Sequence, residues 1–222
     1  MINNSEKFIF IHPPKCAGTS VRSVLRHHYK SHTGNRELEP FGMDLSSEGI
    51  KYYLSVHGTL PQFVKFINDR YSEDYFKRKE WYIFAVIRNP FDRVVSFYHH
   101  IIVHGRASSL WKENSKIISS MTFNDWVCNH LEKEDLARKK TYKSMFYFND
   151  ELCIDHFIRQ ENIEHDSKIV FNRLGIVDYN IPHLKHKTNR TEYNYRKYYN
   201  DETREKVAKL FEWDINYFGY KF

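Results

Sequence analysis

The sequence has few cysteines and no long apolar run. Its three cysteines, Cys16, Cys128 and Cys153, are widely spaced and form no CxxC pair, which argues against a disulfide framework and favours a reducing compartment. The longest apolar run, Trp81 to Ile87, is far shorter than the roughly 18 residues that a membrane helix needs. The first residues lack the apolar core of a signal peptide. We therefore expect a soluble cytoplasmic protein with no membrane span.

Motifs for a Walker A phosphate loop and for a metal site are missing as well. The chain contains no GxxxxGK[ST] segment, which excludes a Walker A phosphate loop, and no pair of carboxylates is placed to hold magnesium. His183 and His186 lie three residues apart but lack the HExxH context of a zinc site. We expect no metal cofactor.

The composition is that of one globular domain with a basic surface. A chain of 222 residues that is 41% hydrophobic and 28% charged is long enough for one well-buried α/β domain, and it has no repeat or interior linker. We predict a single domain over residues 1–222. The net charge of +6 favours an anionic partner such as a nucleotide, an acidic polysaccharide, nucleic acid or a membrane surface. A basic solvated surface with no single partner explains the charge equally well.

Strand and helix patterns alternate along the chain. Short apolar runs predict strands at Phe8–Ile11, Tyr52–Val56, Trp81–Ile87 and Ile154–Ile158. Helical periodicity and caps predict helices that begin near Gly18, Pro61, Asn89, Thr122, Asn162 and Asp201, the last of them continuing to Tyr217. Residues 105–120 are polar and rich in serine, as in a loop or lid. The order of strand, tight loop and helix is typical of α/β nucleotide-binding folds, and the strand at 81–87 is apolar on both faces like a central parallel strand.

The first loop, His12–Ser20, lies between a strand end and a helix start. Backbone N–H groups at a helix N-terminus suit a phosphate. Gly18 lets the backbone approach closely, Thr19 and Ser20 add hydroxyl donors, and Lys15 adds a full positive charge. The alternative is a simple strand-to-helix turn with a surface lysine.

A second candidate segment, Ile87–Tyr98, follows the strongest strand. Ligands bind at the carboxyl ends of strands in open α/β sheets. Asn89 is expected to cap the next helix, and Ser96 lies about two turns further on the same face. Arg88 and Ser96 are thus expected to bind one phosphate, whereas by itself Arg88, like Arg93, is explained by a surface salt bridge.

Together these segments resemble the sulfotransferases that depend on 3′-phosphoadenosine 5′-phosphosulfate, and within them the carbohydrate branch that includes heparan sulfate 2-O-sulfotransferase and bacterial enzymes. Pro14–Ser20 is similar to that family's 5′-phosphosulfate loop, and Arg88–Tyr98 to its 3′-phosphate segment. The resemblance continues, in the family's order, through His57–Leu60, Phe157–Asn162, Tyr198–Thr203 and Asp214–Tyr220.

The resemblance implies a three-layer α/β fold with a central, mainly parallel sheet, related to the P-loop NTPases. It implies a nucleotide sulfate donor, which is a co-substrate, and a carbohydrate acceptor rather than nucleic acid. Lys15 would stabilise the departing phosphate. The 5′-phosphate would be held by Lys15, Cys16, Ala17, Gly18, Thr19 and Ser20, and the 3′-phosphate by Arg88 and Ser96.

The candidate general base is His57, because histidine titrates near neutrality. A histidine that caps a strand or packs under a loop is the alternative, and some relatives carry histidine where this chain has Thr59. His12 and Glu161 are weaker candidates for the base. Arg159 and Glu161 would either shape the acceptor pocket or form a buried ion pair.

Other functions and acceptors stay open at the level of sequence. One alternative is a small-molecule kinase, which would need the Walker A lysine and a magnesium-binding acid. Another is a non-enzymatic module that binds anionic ligands, but this would not explain why Lys15, Arg88 and Ser96 occur at these positions. A lipid, a peptide tyrosine or an amine is a possible acceptor besides a sugar. The basic stretch Lys185, His186, Lys187 and Arg190 would contact phosphates or an acidic glycan, or simply form a solvated face.

Overall fold

The computed structural model describes residues 1–33, 56–104, 121–182 and 194–222. They form two compact units, each built from two stretches of chain. The first unit comprises Met1–Ile87 and Ser144–Leu184, and the second comprises Arg88–Lys143 and Lys185–Phe222. The loop expected at 105–120 lies outside the described residues, as does the strand expected at Tyr52–Val56 except for its last residue.

The described residues contain six strands and nine α-helices. The strands are β1 (Ile2–Asn3), β2 (Phe8–Ile11), β3 (Tyr82–Ile87), β4 (Tyr147–Phe148), β5 (Glu151–Leu152) and β6 (His156–Arg159). The helices are α1 (Gly18–Thr33), α2 (Leu60–Tyr71), α3 (Pro90–His104), α4 (Phe123–Asn129), α5 (Asp135–Arg138), α6 (Tyr142–Phe146), α7 (Ile163–Arg173), α8 (Asp201–Leu210) and α9 (Glu212–Phe218). Within these ranges, no helix combines the length and the hydropathy that crossing a bilayer requires.

The first unit is built on a four-stranded sheet in the order β1-β2-β3-β6. Strands β2, β3 and β6 are parallel, whereas β1 pairs antiparallel with β2 at the edge. Ile11 lies opposite Ala85, and Ile87 lies opposite Arg159. The carboxyl ends of the three parallel strands therefore share one edge of the sheet, and the predicted α/β class with a mainly parallel sheet is confirmed.

The two central strands form because their residues are apolar on both faces. All four residues of β2 are fully buried, and Tyr82 is the only residue of β3 that is not. The ring of Phe84 lies 5.8 Å from that of Phe8 and 5.1 Å from that of Phe10, measured between centroids. Such continuous apolar runs are typical of parallel strands covered on both sides.

Helices α1 and α2 each bury apolar side chains. In α1 the side chains of Val21, Val24 and Leu25 are buried. Helix α2 begins at Leu60 because Thr59 caps it: Thr59 accepts from the backbone N–H of Gln62, whose side chain accepts in return from the Thr59 N–H. The predicted start of α2 is thus correct to one residue.

The second unit is helical, with α3, α4 and α8 contributing to one apolar core. Its buried members are Phe91, Val94, Val95, Tyr98, Ile101, Phe123, Trp126, Val127, Leu131, Leu136, Val207 and Phe211. On α3, Val94, Val95, Tyr98 and Ile101 are buried in this core, and Ile102 packs against it partly buried. The long helix predicted from Asp201 to Tyr217 is wrong in one respect, because the backbone leaves the helical conformation at the buried Phe211 and divides it into α8 and α9.

Candidate functional site

The first part of the candidate site, residues 12–20, is called the lysine loop below. It follows β2 directly and continues into α1. Lys15 and Ala17 have φ angles of +66° and +61°, in the left-handed region, on either side of Cys16. Each non-glycine residue in this region costs on the order of 1–3 kcal/mol. Alternating backbone conformations of this kind form concavities of N–H groups that bind anions, so the backbone geometry of the loop is compatible with the predicted phosphate contact.

The side chains of the lysine loop differ in their access to solvent. Thr19 is exposed and Lys15 is half-buried, whereas Cys16 and Ser20 are buried. The backbone N–H of Ser20 donates to the Ala17 carbonyl at 3.0 Å and closes the turn into α1. Of the two predicted hydroxyl donors, Thr19 is therefore the one that presents its side chain to solvent.

Gly18 is required by a neighbour that the sequence does not reveal. A Cβ atom built at this position would lie less than 3.0 Å from three ring atoms of His12, which is closer than real Cβ atoms approach. The His12 imidazole is only 4% exposed. Burial in the first place, and then the charge of His57, lower the pKa of His12 well below 6.5. A buried imidazole of such weak basicity is a poor general base, which argues against His12 in that role.

His57 is brought to the lysine loop by a short hydrogen bond. Its Nδ1 lies 2.6 Å from the carbonyl oxygen of His12, and the two rings meet edge to face at 4.8 Å. Because a carbonyl oxygen only accepts, the proton of the neutral imidazole is on Nδ1 and the basic lone pair is on Nε2. His57 lies in the turn just before α2 and is half-buried. The structure therefore places the predicted base beside the lysine loop, in a defined tautomer.

The second part, Arg88–Ser96, is called the arginine segment and belongs to the second unit. The Arg88 guanidinium donates from Nε at 3.0 Å and from Nη2 at 2.7 Å to Oδ2 of Asp92, one helical turn further along. The two side chains are only 13% and 18% exposed. The ion pair is thus more buried than the surface salt bridge considered from sequence, and it fixes the orientation of the guanidinium. Ser96 is half-buried on α3.

The backbone of Arg88 is held by a residue that sequence reasoning missed. The Arg88 N–H donates to the hydroxyl of Tyr142 at 2.7 Å, and that hydroxyl donates to the Arg88 carbonyl, also at 2.7 Å. The next residue, Asn89, caps α3 as predicted, since its Oδ1 accepts from the Phe91 N–H at 3.0 Å. Its Nδ2 donates to the Lys221 carbonyl at 2.8 Å. Both residues at the start of the arginine segment are therefore tied to distant parts of the chain.

Arg93 is part of the interior of the second unit and is fully buried. It donates to the Lys140 carbonyl at 2.6 Å, and its guanidinium lies 4.7 Å from the centre of the Tyr142 ring. Nearby, Asp214 accepts from the backbone N–H of Tyr142 at 3.0 and 3.1 Å. Burial raises the pKa of Asp214 to about 6, against the opposing effects of these N–H groups and of Arg93. The surface salt bridge considered for Arg93 is wrong.

A family comparison decides what these segments belong to. The model described as "Sulfotransferase family" matches residues 1–221. The chain belongs to the sulfotransferase family. No curated protein matches it.

One solved structure supports the same fold. The sulfotransferase is similar to a crystal structure of a sulfotransferase from Alicyclobacillus acidocaldarius, with 16% identity, a TM-score of 0.50, and coverage of 95% of this chain and 92% of that one. A mouse sulfotransferase, SULT7A1 complexed with PAP, is 13% identical with a TM-score of 0.49, over 97% of this chain and 86% of that one. The predicted sulfotransferase fold, related to that of P-loop NTPases, is confirmed.

The remaining predicted segments of the sulfotransferase have mixed outcomes. The N–H of Arg159, at the end of β6, donates to Asp166 at 2.8 Å. Glu161 is exposed, so the buried ion pair considered for Arg159 and Glu161 is wrong. His183 and the basic stretch Lys185, His186, Lys187 and Arg190 lie outside the described residues. Among the described residues, no group of three or more His, Cys, Asp and Glu side chains is placed to hold a metal ion.

Proposed function

We propose that the chain acts as one sulfotransferase domain, residues 1–222, which transfers a sulfuryl group from 3′-phosphoadenosine 5′-phosphosulfate to a hydroxyl of a carbohydrate. Family membership supports the reaction class. The observation that carries the assignment of residues is the strained lysine loop with His57 hydrogen-bonded to its first residue. A cytoplasmic location without a metal cofactor is part of the proposal, and the lack of any disulfide among the three cysteines is compatible with it.

The donor's 5′-phosphosulfate is assigned to the lysine loop. Backbone N–H groups of residues 15–19 and the exposed Thr19 hydroxyl are the donors in this assignment. Gly18 and Ala17 shape the backbone, and Cys16, whose thiol lies 3.6 Å from the Pro14 carbonyl, anchors the loop from inside. A helix N-terminus adds partial positive charge at the same place.

The 3′-phosphate is assigned to Arg88 and Ser96. Arg88 directly follows β3 in the chain, and in α/β sheets ligands bind beyond the carboxyl ends of the strands. The ion pair with Asp92 holds the Arg88 guanidinium in one orientation, which favours a directional contact with phosphate. The Ser96 hydroxyl follows two turns into α3.

The reaction is an in-line displacement at sulfur. The acceptor oxygen forms a bond to sulfur while the bond from sulfur to the 5′-phosphate oxygen breaks, and its electron pair remains on that phosphate. The proton of the acceptor hydroxyl passes to Nε2 of His57, the nitrogen that its hydrogen bond leaves basic. The ammonium group of Lys15 neutralises the charge that develops on the leaving phosphate. Positioning and electrostatics supply most of the rate, as in phosphoryl transfer.

The donor assignment is tested by ligand-induced thermal stabilisation of the purified chain. Adenosine 3′,5′-bisphosphate is expected to raise the Tm, because a ligand that binds only the folded state stabilises it. Stabilisation by ATP with magnesium, without any by the bisphosphate, would instead favour a small-molecule kinase.

The acceptor is tested by transfer of radiolabelled sulfate from the donor. Glycans, tyrosine peptides, lipids, amines and small alcohols are compared at equal concentration. Label in the glycan fraction supports a carbohydrate acceptor. Label confined to another fraction overturns that part of the proposal and leaves the donor assignment intact.

A further inference from the structure

The hydroxyl of Tyr142 satisfies both backbone groups of Arg88. It accepts from the Arg88 N–H and donates to the Arg88 carbonyl, with both distances at 2.7 Å. Arg88 is the residue between the end of β3 and Asn89, the cap of α3, so neither a sheet ladder nor the helix supplies these bonds. Buried backbone groups without partners are costly, and a single side-chain atom supplies both partners here.

Tyr142 is itself held from several directions. Its side chain is fully buried, and its ring meets that of Phe218 edge to face at 5.6 Å. The Arg93 guanidinium lies 4.7 Å from the ring centre. Its backbone N–H is bound by the carboxylate of Asp214, which thereby satisfies the first turn of α6. These contacts hold the Tyr142 side chain, and with it the hydroxyl, in one position.

We infer that Tyr142 is a positioning residue for recognition of the donor's 3′-phosphate, acting through the backbone of Arg88. The inference rests on the proposed function, in which the Arg88 guanidinium binds that phosphate. Asp92 sets the orientation of the guanidinium from the helix side, and Tyr142 sets the main chain from which the side chain extends. Without the hydroxyl, the N–H and carbonyl of Arg88 lose these two hydrogen bonds. The main chain that carries the guanidinium is then no longer held in one position.

The test compares two ligands that differ only in the 3′-phosphate. Dissociation constants for adenosine 3′,5′-bisphosphate and adenosine 5′-monophosphate are measured by calorimetry for the wild type and for Tyr142→Phe. We expect the ratio of the two constants to shrink by about tenfold in the variant, because a net loss of about one hydrogen bond to a charged site is of that order. The affinity for the 5′-monophosphate should stay unchanged.

Two further variants separate the possible outcomes. Tyr75→Phe removes a half-buried hydroxyl of the first unit that donates to Oδ1 of Asn4 at 2.9 Å, and it should leave the ratio at the wild-type value. Arg88→Ala should reduce the ratio further than Tyr142→Phe does, and the Ser96 contact should account for the discrimination that is left. A wild type that does not discriminate between the two ligands overturns the 3′-phosphate assignment itself. If the wild type and Arg88→Ala behave as expected but Tyr142→Phe keeps the wild-type ratio, only the role of Tyr142 is overturned.

A measurement on the wild type covers the case in which Tyr142→Phe does not fold. The Arg88 backbone amide should exchange its hydrogen slowly in the ligand-free protein, because the Tyr142 oxygen binds it, and more slowly still with adenosine 3′,5′-bisphosphate bound. Rapid exchange at Arg88 beside protected amides of β3, or exchange that the ligand leaves unchanged, contradicts the inference.

Discussion

The imidazole ring of His12 occupies the space that a side chain on Gly18 would need. His12 is the first residue after β2, and Gly18 is the first residue of α1. The lysine loop between them is therefore closed by direct packing of a ring against a bare Cα. The absence of a side chain at position 18 is a packing requirement, in addition to the close approach to phosphate that the sequence suggests.

Gly18→Ala is expected to lower the free energy of unfolding by about 1–3 kcal/mol, as for other overpacked sites. In a His12→Ala background the same change should cost much less, because the ring that it clashes with is gone and alanine is the better helix former. Urea denaturation of the four proteins gives the coupling energy. An equal cost in both backgrounds would show that the ring is not the cause.

Lys15→Ala is expected to reduce turnover by about 10³-fold or more, because an electrostatic stabiliser of the leaving phosphate is lost. The free energy of unfolding should change little, since alanine inherits the same left-handed backbone. Lys7→Ala is a matched control: Lys7 is another lysine with a positive φ, 49°, and it lies just before β2, at the opposite end of that strand. Wild-type turnover in Lys15→Ala would remove the role assigned to this lysine.

His57→Ala is expected to reduce turnover by about 10²–10⁴-fold with binding of adenosine 3′,5′-bisphosphate preserved, as for the loss of a general base. His57→Asn offers a sharper comparison, because its amide N–H₂ can still donate to the His12 carbonyl while no basic nitrogen remains. Both variants should be equally slow, and the asparagine variant should be the more stable of the two. Loss of nucleotide binding in both variants would make His57 a structural residue.

The stability of the second unit should depend on pH through Asp214. Burial raises the pKa of this carboxyl from 3.8 to about 6 in the folded protein. The folded state therefore keeps a proton that the unfolded state has released, and the stabilisation is complete below about pH 3.8 and is lost as the pH rises through about 6. Relative to Asp214→Asn, which mimics the protonated form, the wild type should lose up to about 3 kcal/mol of unfolding free energy between pH 4 and pH 7.

The pH effect is measured as the difference between wild type and Asp214→Asn in urea denaturation at several pH values. Groups that titrate in both proteins cancel in this difference. If the difference stays constant with pH, the pKa of Asp214 is not raised. The N–H groups of Tyr142 and Lys143, together with the charge of Arg93, then offset the effect of burial on that pKa.

The local features of the fold were predictable from sequence because their causes are local. The apolar runs of β2 and β3 indicate buried strands, and Asn89 before Pro90 indicates a helix cap; the structure confirms both. The division between α8 and α9 at Phe211 was not predicted, because the apolar periodicity continues through it. Hairpin β4–β5 was also missed, since each strand has only two residues.

The site was predictable only in its chemically distinctive residues. Lys15, His57 and Arg88 stand out by type and by their position after strands. The link between Arg88 and Tyr142 joins residues 54 positions apart, and Tyr142 is one of 16 tyrosines, so nothing in the local sequence distinguishes it. The left-handed backbone at Lys15 and Ala17 was equally hidden, because neither residue is a glycine or an asparagine.

The proposed base, His57, is held by the main-chain carbonyl of His12. Its tautomer therefore does not depend on which side chain residue 12 carries. A main-chain oxygen is supplied by every amino acid, so replacing residue 12 alters the packing against Gly18 without deleting the acceptor that selects the histidine tautomer. Directed evolution of this enzyme can therefore vary position 12 together with position 18 while the proton-accepting nitrogen keeps its identity.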